Sequence, residues 1–342
     1  MKGVVFLGDR RCEVREVPAP TPGHGEVLIR VRAAGICGSD LHVYRDAKAT
    51  DQVRGHEASG VVTEVGPGVL RLKVGDRVSV HHHMGCGVCE ACARGETVAC
   101  GVNHRIVGVH VSGAFGEYVA AQEANCIPLP DGASFVDGAF MACVGGTAYG
   151  ALRRLGAVAH QSVAVFGLGP VGLSCVLVAR ALGLRVIGMD VAPHRVALAL
   201  ACGAQAAVDG REAGAIEAIR AFGKVAGFGG DGVDCVIETS GSAEARRRIL
   251  PSLKREGRAA IVGVGSDEAV INPTHIHGRA ATLIGSVVFP LGWMWELSRL
   301  CAASGLTFAP AVTHRFSLSE ALDALAVADE ARGGKVIFVS DQ

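Results

Sequence analysis

The chain has 342 residues, 33 basic and 33 acidic side chains and no net charge. Its length suggests two domains, or one large one, with core enough to need no disulfides. Balanced charge gives no electrostatic case for nucleic acid or an anionic membrane, and 49% hydrophobic against 19% charged residues excludes wholesale disorder.

The first third reads as strands. Gly3–Phe6, Glu26–Ala33, Ala58–Val65 and Arg77–Val80 are short, Val-rich and bounded by Gly, Pro or Asp, and Glu117–Ala121 and Asn125–Pro128 continue the pattern. This predicts an irregular, mostly antiparallel β domain. Over Ser134–Leu155 the apolar spacing becomes helical. From Gln161 strands and helices alternate: strands at Ser162–Phe166 and Arg185–Asp190, helices at Val171–Leu182 and Pro193–Cys202. Further apolar runs at Ala206–Val208, Val233–Glu238, Ala259–Val264 and Thr282–Ser286 extend the series, which predicts an α/β fold with a doubly wound parallel sheet. A helix at Leu291–Ser304, a strand at Thr313–Phe316, a helix at Ser319–Glu330 and a strand at Lys335–Val339 form a tail expected to rejoin the first domain.

The start, MKGVVFLGDRR, has no apolar stretch of signal-peptide length, and every apolar run breaks well before about 18 residues. A cytoplasmic protein with no membrane span is expected, and there twelve cysteines read as metal ligands and buried apolar side chains rather than disulfides.

Cys86, Cys89, Cys92 and Cys100 form C-x2-C-x2-C-x7-C. Four thiolates can close a tetrahedral shell around zinc and stabilise a lobe, here 85–101, too small for its own core. An iron–sulfur cluster is the other chemistry this spacing allows. A second set of ligand types lies apart from the lobe: Cys37-Gly38-Ser39-Asp40-Leu41-His42, Gly55-His56-Glu57, and Cys143. Two thiolates and an imidazole would leave a fourth zinc position open, the layout of a catalytic metal. Asp40 could accept from the second ring nitrogen of His56 and fix its tautomer.

The run Val163–Phe166 leads into Gly167-Leu168-Gly169-Pro170-Val171-Gly172, a G-x-G-x-x-G between a strand and a helix, with Asp190 ending the next strand. The glycines suit a tight turn, approach of a pyrophosphate and close helix–strand packing. A carboxylate such as Asp190 accepts from ribose hydroxyls and repels a 2′-phosphate, which predicts NAD; Arg195, five residues on, could bind a phosphate.

These motifs in this order resemble the zinc-dependent medium-chain alcohol dehydrogenase family, nearest its polyol, threonine and secondary-alcohol members. The match runs through Gly35–Asp40, Gly55–Gly60, Val74–Val78, the cysteine lobe, Gly167–Gly172 and Glu238–Gly241. The resemblance implies a GroES-like catalytic domain (1–144 and 288–342), a Rossmann coenzyme domain (145–287) and an active cleft between them. It implies two zincs per chain: one structural, on the four lobe cysteines, and one catalytic, on Cys37, His56 and Cys143 with Glu57 as an exchangeable ligand. It carries the substrate-contacting hydroxyl onto Ser39, the outer relay base onto His42 and the nicotinamide-facing segment onto Gly263 and Val264. It also implies a small-molecule alcohol or ketone substrate and a homo-oligomer, tetramer or dimer.

The residue four before the first lobe cysteine borders the substrate pocket in that family and is often aromatic; here it is His82, with His110 near a second lining segment. Two polar side chains would suit a polyol, sugar or cyclitol, with a simple or threonine-like alcohol as the alternative. A contrary reading makes His81-His82-His83 a solvated loop or a chance metal-binding tract. A zinc-ribbon binding protein is disfavoured by the lack of a basic stripe, and a zinc-free reductase by the presence of Cys37, His56 and Cys143.

Overall fold

The computed structural model describes residues 1–224, 230–269 and 271–340. The chain divides into two compact units, Met1–Gly146 with Phe289–Gln342, and Thr147–Val288.

The first unit is built on a seven-stranded sheet. Its long strand, Glu26–Gly35, alternates buried and half-buried residues, with Val27, Ile29, Val31 and Ala33 facing the core. Glu57–Val65 and Tyr118–Gln122 pair antiparallel with it, and Arg77–Val80 and Cys126–Pro128 continue outward. The strand Lys335–Val339 joins the sheet from the far end of the sequence, placing Ile337 opposite Gly35. A separate hairpin, Lys2–Gly8 with Arg11–Glu16, covers the core; its second strand is too charged to read as a strand from sequence.

In the second unit six parallel strands stand in the order Ala206–Asp209, Arg185–Asp190, Ser162–Phe166, Val233–Glu238, Leu253–Ile261, Thr282–Gly285. Ser162–Phe166 is buried at every position, as a central parallel strand must be. The run predicted at Ala259–Val264 instead begins at Leu253 and ends at Ile261. Its first half, Lys254-Arg255-Glu256, is polar and includes Glu256 at φ +59°, so hydrophobic patterning misses it.

The helical stretch predicted over Ser134–Leu155 is two helices, Phe135–Ala142 and Val144–Arg154, meeting at a 53° bend. Cys143 is the break, at φ −144° and ψ −81°. Among the described residues no single helix is long and apolar enough to cross a membrane; this bent pair is mostly buried in the protein.

Asp137 ties the first of these helices to the C-terminal part of the unit. Its carboxylate accepts from Ser134 N–H at 2.9 Å and Ser134 Oγ at 2.6 Å, which caps the helix. It also accepts from Thr307 Oγ1 at 2.8 Å and Phe308 N–H at 2.7 Å. Asp137→Ala would strand these donors at a site only 3% exposed. The expected loss is about 2–4 kcal/mol of unfolding free energy by denaturant titration; a loss below about 0.5 kcal/mol would show that the clasp is redundant.

Candidate active site

The first site grows from a helix start. Cys37 caps the helix Gly38–Arg45, and Asp40, three residues on, accepts from Cys37 N–H at 2.9 Å. The other oxygen of the same carboxylate lies 3.3 Å from Nδ1 of His56. One buried Asp thus caps the helix and orients the imidazole, leaving Nε2 for a ligand. Gly55, at φ +87°, makes the turn that delivers His56, and Phe115 fills the space a side chain there would need. The break after Ala142 brings Cys143 to the same place. Ligand atoms of Cys37, His56, Glu57 and Cys143 all lie within 4.8 Å of one another.

The electrostatics suit a cation. Cys37 accepts a hydrogen bond from Cys143 and faces His56, which together hold its thiol well below the ordinary range against the effect of burial. The same hydrogen bond, reinforced by burial, pushes Cys143 well up. Burial opposes charge on His56, but Asp40 and Cys37 more than offset it and raise its pKa. A metal ion would replace the protons that these groups share. Burial pushes Glu57 up to about 7, against the pull of Lys335.

Lys335 is the partner sequence reading missed. It is fully buried, donates to Ile36 O at 2.8 Å and pairs with Glu57 Oε2 at 2.5 Å. A lysine at the head of an apolar strand, Lys335-Val336-Ile337-Phe338, was the available signal.

In the second cluster, Cys86, Cys89, Cys92 and Cys100 also gather their sulfurs within 4.8 Å. Cys86 Sγ and Cys92 Sγ lie 4.0 Å apart, and Cys89 Sγ and Cys100 Sγ 3.9 Å. A tetrahedron with Zn–S bonds of about 2.3 Å has edges of about 3.8 Å, so the set fits one ion. Backbone N–H groups of Cys86 and Cys89 point at sulfurs of Cys100 and Cys86, which offsets thiolate charge.

Ser39 and His42 lie three residues apart on the exposed side of the helix that Cys37 caps. The three consecutive histidines are buried, which overturns the solvated-loop reading. His82 donates from Nδ1 to Ala142 O at 2.8 Å, and its ring centroid is 4.8 Å from that of His56. Burial and the neighbouring His56, His83 and His81 hold His82 well below an ordinary histidine, so it is neutral and offers Nε2 as an acceptor. His110 is different: it is exposed, its Nδ1 accepts from its own turn at Ile106 N–H, and the shifted group that feels its charge is His83.

In the second unit Gly167 takes φ +83° and packs on Ser240, while a Cβ on Gly172 would collide with the Gly167 carbonyl. Gly169 has nothing within 4 Å of the place its Cβ would occupy. It caps the helix Pro170–Ala181 without a side-chain acceptor, so the N–H groups of Val171 and Gly172 are offered to an anion. Leu168 donates its N–H to Asp190 at 2.6 Å, and Ala192 donates to the other oxygen at 2.9 Å. Asp190 thus shapes the glycine loop, with Arg195 3.9 Å away. This loop fits a dinucleotide. Gly263 donates to Glu238 O, and Val264 beside it is 88% exposed.

Residues 23–131 match the alcohol dehydrogenase GroES-like domain, and residues 170–300 match the zinc-binding dehydrogenase domain. An uncharacterised zinc-type alcohol dehydrogenase-like protein of Escherichia coli is 35% identical over 99% of this chain and 98% of its own. An L-threonine 3-dehydrogenase of Rhizobium johnstonii is 32% identical over 95% of this chain and 94% of its own. The solved alcohol dehydrogenase of Thermus sp. ATN1 superposes with a TM-score of 0.90 at 30% identity, covering 99% of both chains. Likeness along its whole length, with both cysteine-bearing ligand sets in place, makes this chain a member of the zinc-dependent medium-chain alcohol dehydrogenase family.

Proposed function

We propose that the protein moves hydride between a polar secondary alcohol and NAD, with the unit Met1–Gly146 and Phe289–Gln342 holding the substrate and the unit Thr147–Val288 the coenzyme. The observation that carries this reading is the convergence of Cys37, His56 and Cys143 beside Glu57, with Asp40 fixing the imidazole. Zinc held by these residues supplies Lewis acidity to the alcohol oxygen, and NAD supplies the hydride acceptor.

The remaining work belongs to the chain's own groups. Ser39 takes the hydroxyl proton and His42 releases it to water; their three-residue spacing on one helix face supports that order. Lys335 pairs with Glu57 and so competes with a metal for its carboxylate. Gly169 leaves room for the pyrophosphate, and Asp190 favours a free 2′-hydroxyl over a phosphate. His82 accepts a hydrogen bond from a further hydroxyl of the substrate through Nε2.

Separate structural and catalytic metals predict different variants. Cys89→Ser is expected to lower thermal stability and lose one zinc. Cys37→Ser is expected to keep the fold and the lobe zinc while turnover disappears. Elemental analysis beside a melting curve distinguishes them, and equal loss of fold in both would remove the distinction.

Initial rates with NAD⁺ and NADP⁺ against a polyol and an alkanol of similar size test the reading as a whole. The polyol with NAD⁺ is expected to win by about 10-fold or more in kcat/KM, the effect of one acceptor left unpaired by the alkanol. His82→Phe is expected to shift the ratio toward the alkanol. A wild-type preference for the alkanol, or a ratio indifferent to His82, removes the polar pocket, and a preference for NADP⁺ removes the role given to Asp190.

A further inference from the structure

Arg54 stands two residues before His56, on the segment that delivers that imidazole. Its backbone is fixed on both sides. Gly113 N–H donates to Val53 O, Phe115 N–H to Arg54 O and Ala114 N–H to Gly55 O, at 2.8, 2.8 and 2.9 Å. The residue is 8% exposed, and its buried Nε has no partner. Four other arginines, Arg105, Arg185, Arg195 and Arg246, also carry a buried nitrogen without a partner. Each of those guanidiniums is held elsewhere: by Glu26, by Phe222 O, by Asp190, or by Gly263 O and Asp267 O. Among the described residues the Arg54 side chain alone of the five makes no hydrogen bond and no ion pair. The one charged side chain whose field acts on it is Asp40, the carboxylate that orients His56, and Asp40 is already committed to His56 and Cys37.

A buried cation without a counter-charge is costly, and proteins pair such groups or use them. A guanidinium is a planar fork matched to the two oxygens of a carboxylate or phosphate. We propose that Arg54 receives the anionic end of the substrate, so that the enzyme acts on hydroxylated compounds carrying a carboxylate or a phosphate ester. The proposal rests on the alcohol-oxidising reading above. It deepens that reading, since His82 takes a hydroxyl while Arg54 takes the charge.

Two measurements on zinc-loaded protein test it. The first is calorimetric titration with acetate and with inorganic phosphate, in the absence of alcohol and NAD⁺. Wild type is expected to bind one of them, and Arg54→Gln to bind it about 10- to 100-fold more weakly, the contribution of one charged hydrogen-bonded pair. Tighter acetate marks a carboxylate substrate; tighter phosphate marks a phosphate ester. The second is NAD⁺-dependent turnover of matched pairs, threonate against threitol and glycerol 3-phosphate against glycerol. The anionic member is expected to lead in kcat/KM by a similar factor. Arg54→Gln should erase that lead through KM, Arg54→Lys should restore part of it, and the Kd for NAD⁺ should stay unchanged. No anion binding by wild type, equal binding by wild type and Arg54→Gln, or weakened NAD⁺ binding in the variant overturns the proposal. If wild type binds the anion but oxidises no member of either pair, alcohol oxidation fails while the titration still decides Arg54. Arg54→Met, of similar length and no charge, replaces Arg54→Gln in every comparison if the latter does not fold.

Discussion

The unit formed by Met1–Gly146 and Phe289–Gln342 is organised around a buried ion pair. Glu57 opens one strand and Lys335 another, and Gly35 lies between them in the sheet, opposite both Glu57 and Ile337. A side chain at Gly35 would collide with the Glu57 carboxylate and the Lys335 stem, so a bare backbone there lets the two charges meet. The pair joins residues nearly three hundred positions apart and lies behind the ligand set. Its net contribution to stability is small, because removing two charges from water costs several kcal/mol each and their attraction returns about as much. What it contributes is charge balance. Cys37 and Cys143 as thiolates and Glu57 as carboxylate would place three negative charges in one buried volume. A divalent ion held there would, with the Lys335 ammonium, neutralise them, and Lys335 already favours the thiolate of Cys37.

Other groups at this site also do two things at once. Asp40 caps the start of a helix and holds the imidazole of His56, so the local rule for starting a helix and the orientation that a metal site would require are met by one side chain. Cys143 ends a helix by leaving helical geometry, and the departure turns its thiol toward Cys37. The bend between Phe135–Ala142 and Val144–Arg154 is therefore what brings Cys143 into the candidate ligand cluster.

How much of this can be read from sequence depends on whether a residue's neighbours in space are also its neighbours in the chain. The alternation from Ser162 onward is local, and the parallel sheet follows from it. The lobe cysteines and the glycine loop are likewise short-range patterns with a mechanical reason for each spacing. The helix Gly38–Arg45 escapes detection because its mean character is polar and its cap is a cysteine, a residue type not expected to start helices. The break at Cys143 escapes because Ala142, Cys143 and Val144 continue the apolar pattern without a Gly or Pro. Lys335 and Arg54 escape for a stronger reason. Apart from the apolar run that follows Lys335, nothing near either residue in the chain marks it as buried, and only the pairing of distant strands, or the hairpin-like contact of 53–55 with 113–115, buries it.

The histidines beside the site carry the same lesson into chemistry. Three consecutive imidazoles in an open loop would titrate near neutrality and act as a variable charge. Here His81 is pressed to about 4 and His83 to about 3, in both cases chiefly by burial, and His82 is lowered further by its imidazole neighbours. All three are therefore neutral at physiological pH, and each ring has one N–H to place. His82 places its own on Ala142 O, and the shorter contact of His81 is to Phe289 O at 3.0 Å. A neutral ring whose donor is committed can only accept. The other ring nitrogen of His82 is thus open only to a donor such as a hydroxyl, and repels neither an anion nor a cation by charge. Discrimination by charge would have to come from a different side chain, and the buried guanidinium of Arg54, two residues from His56, is the group to which the proposal above gives that role.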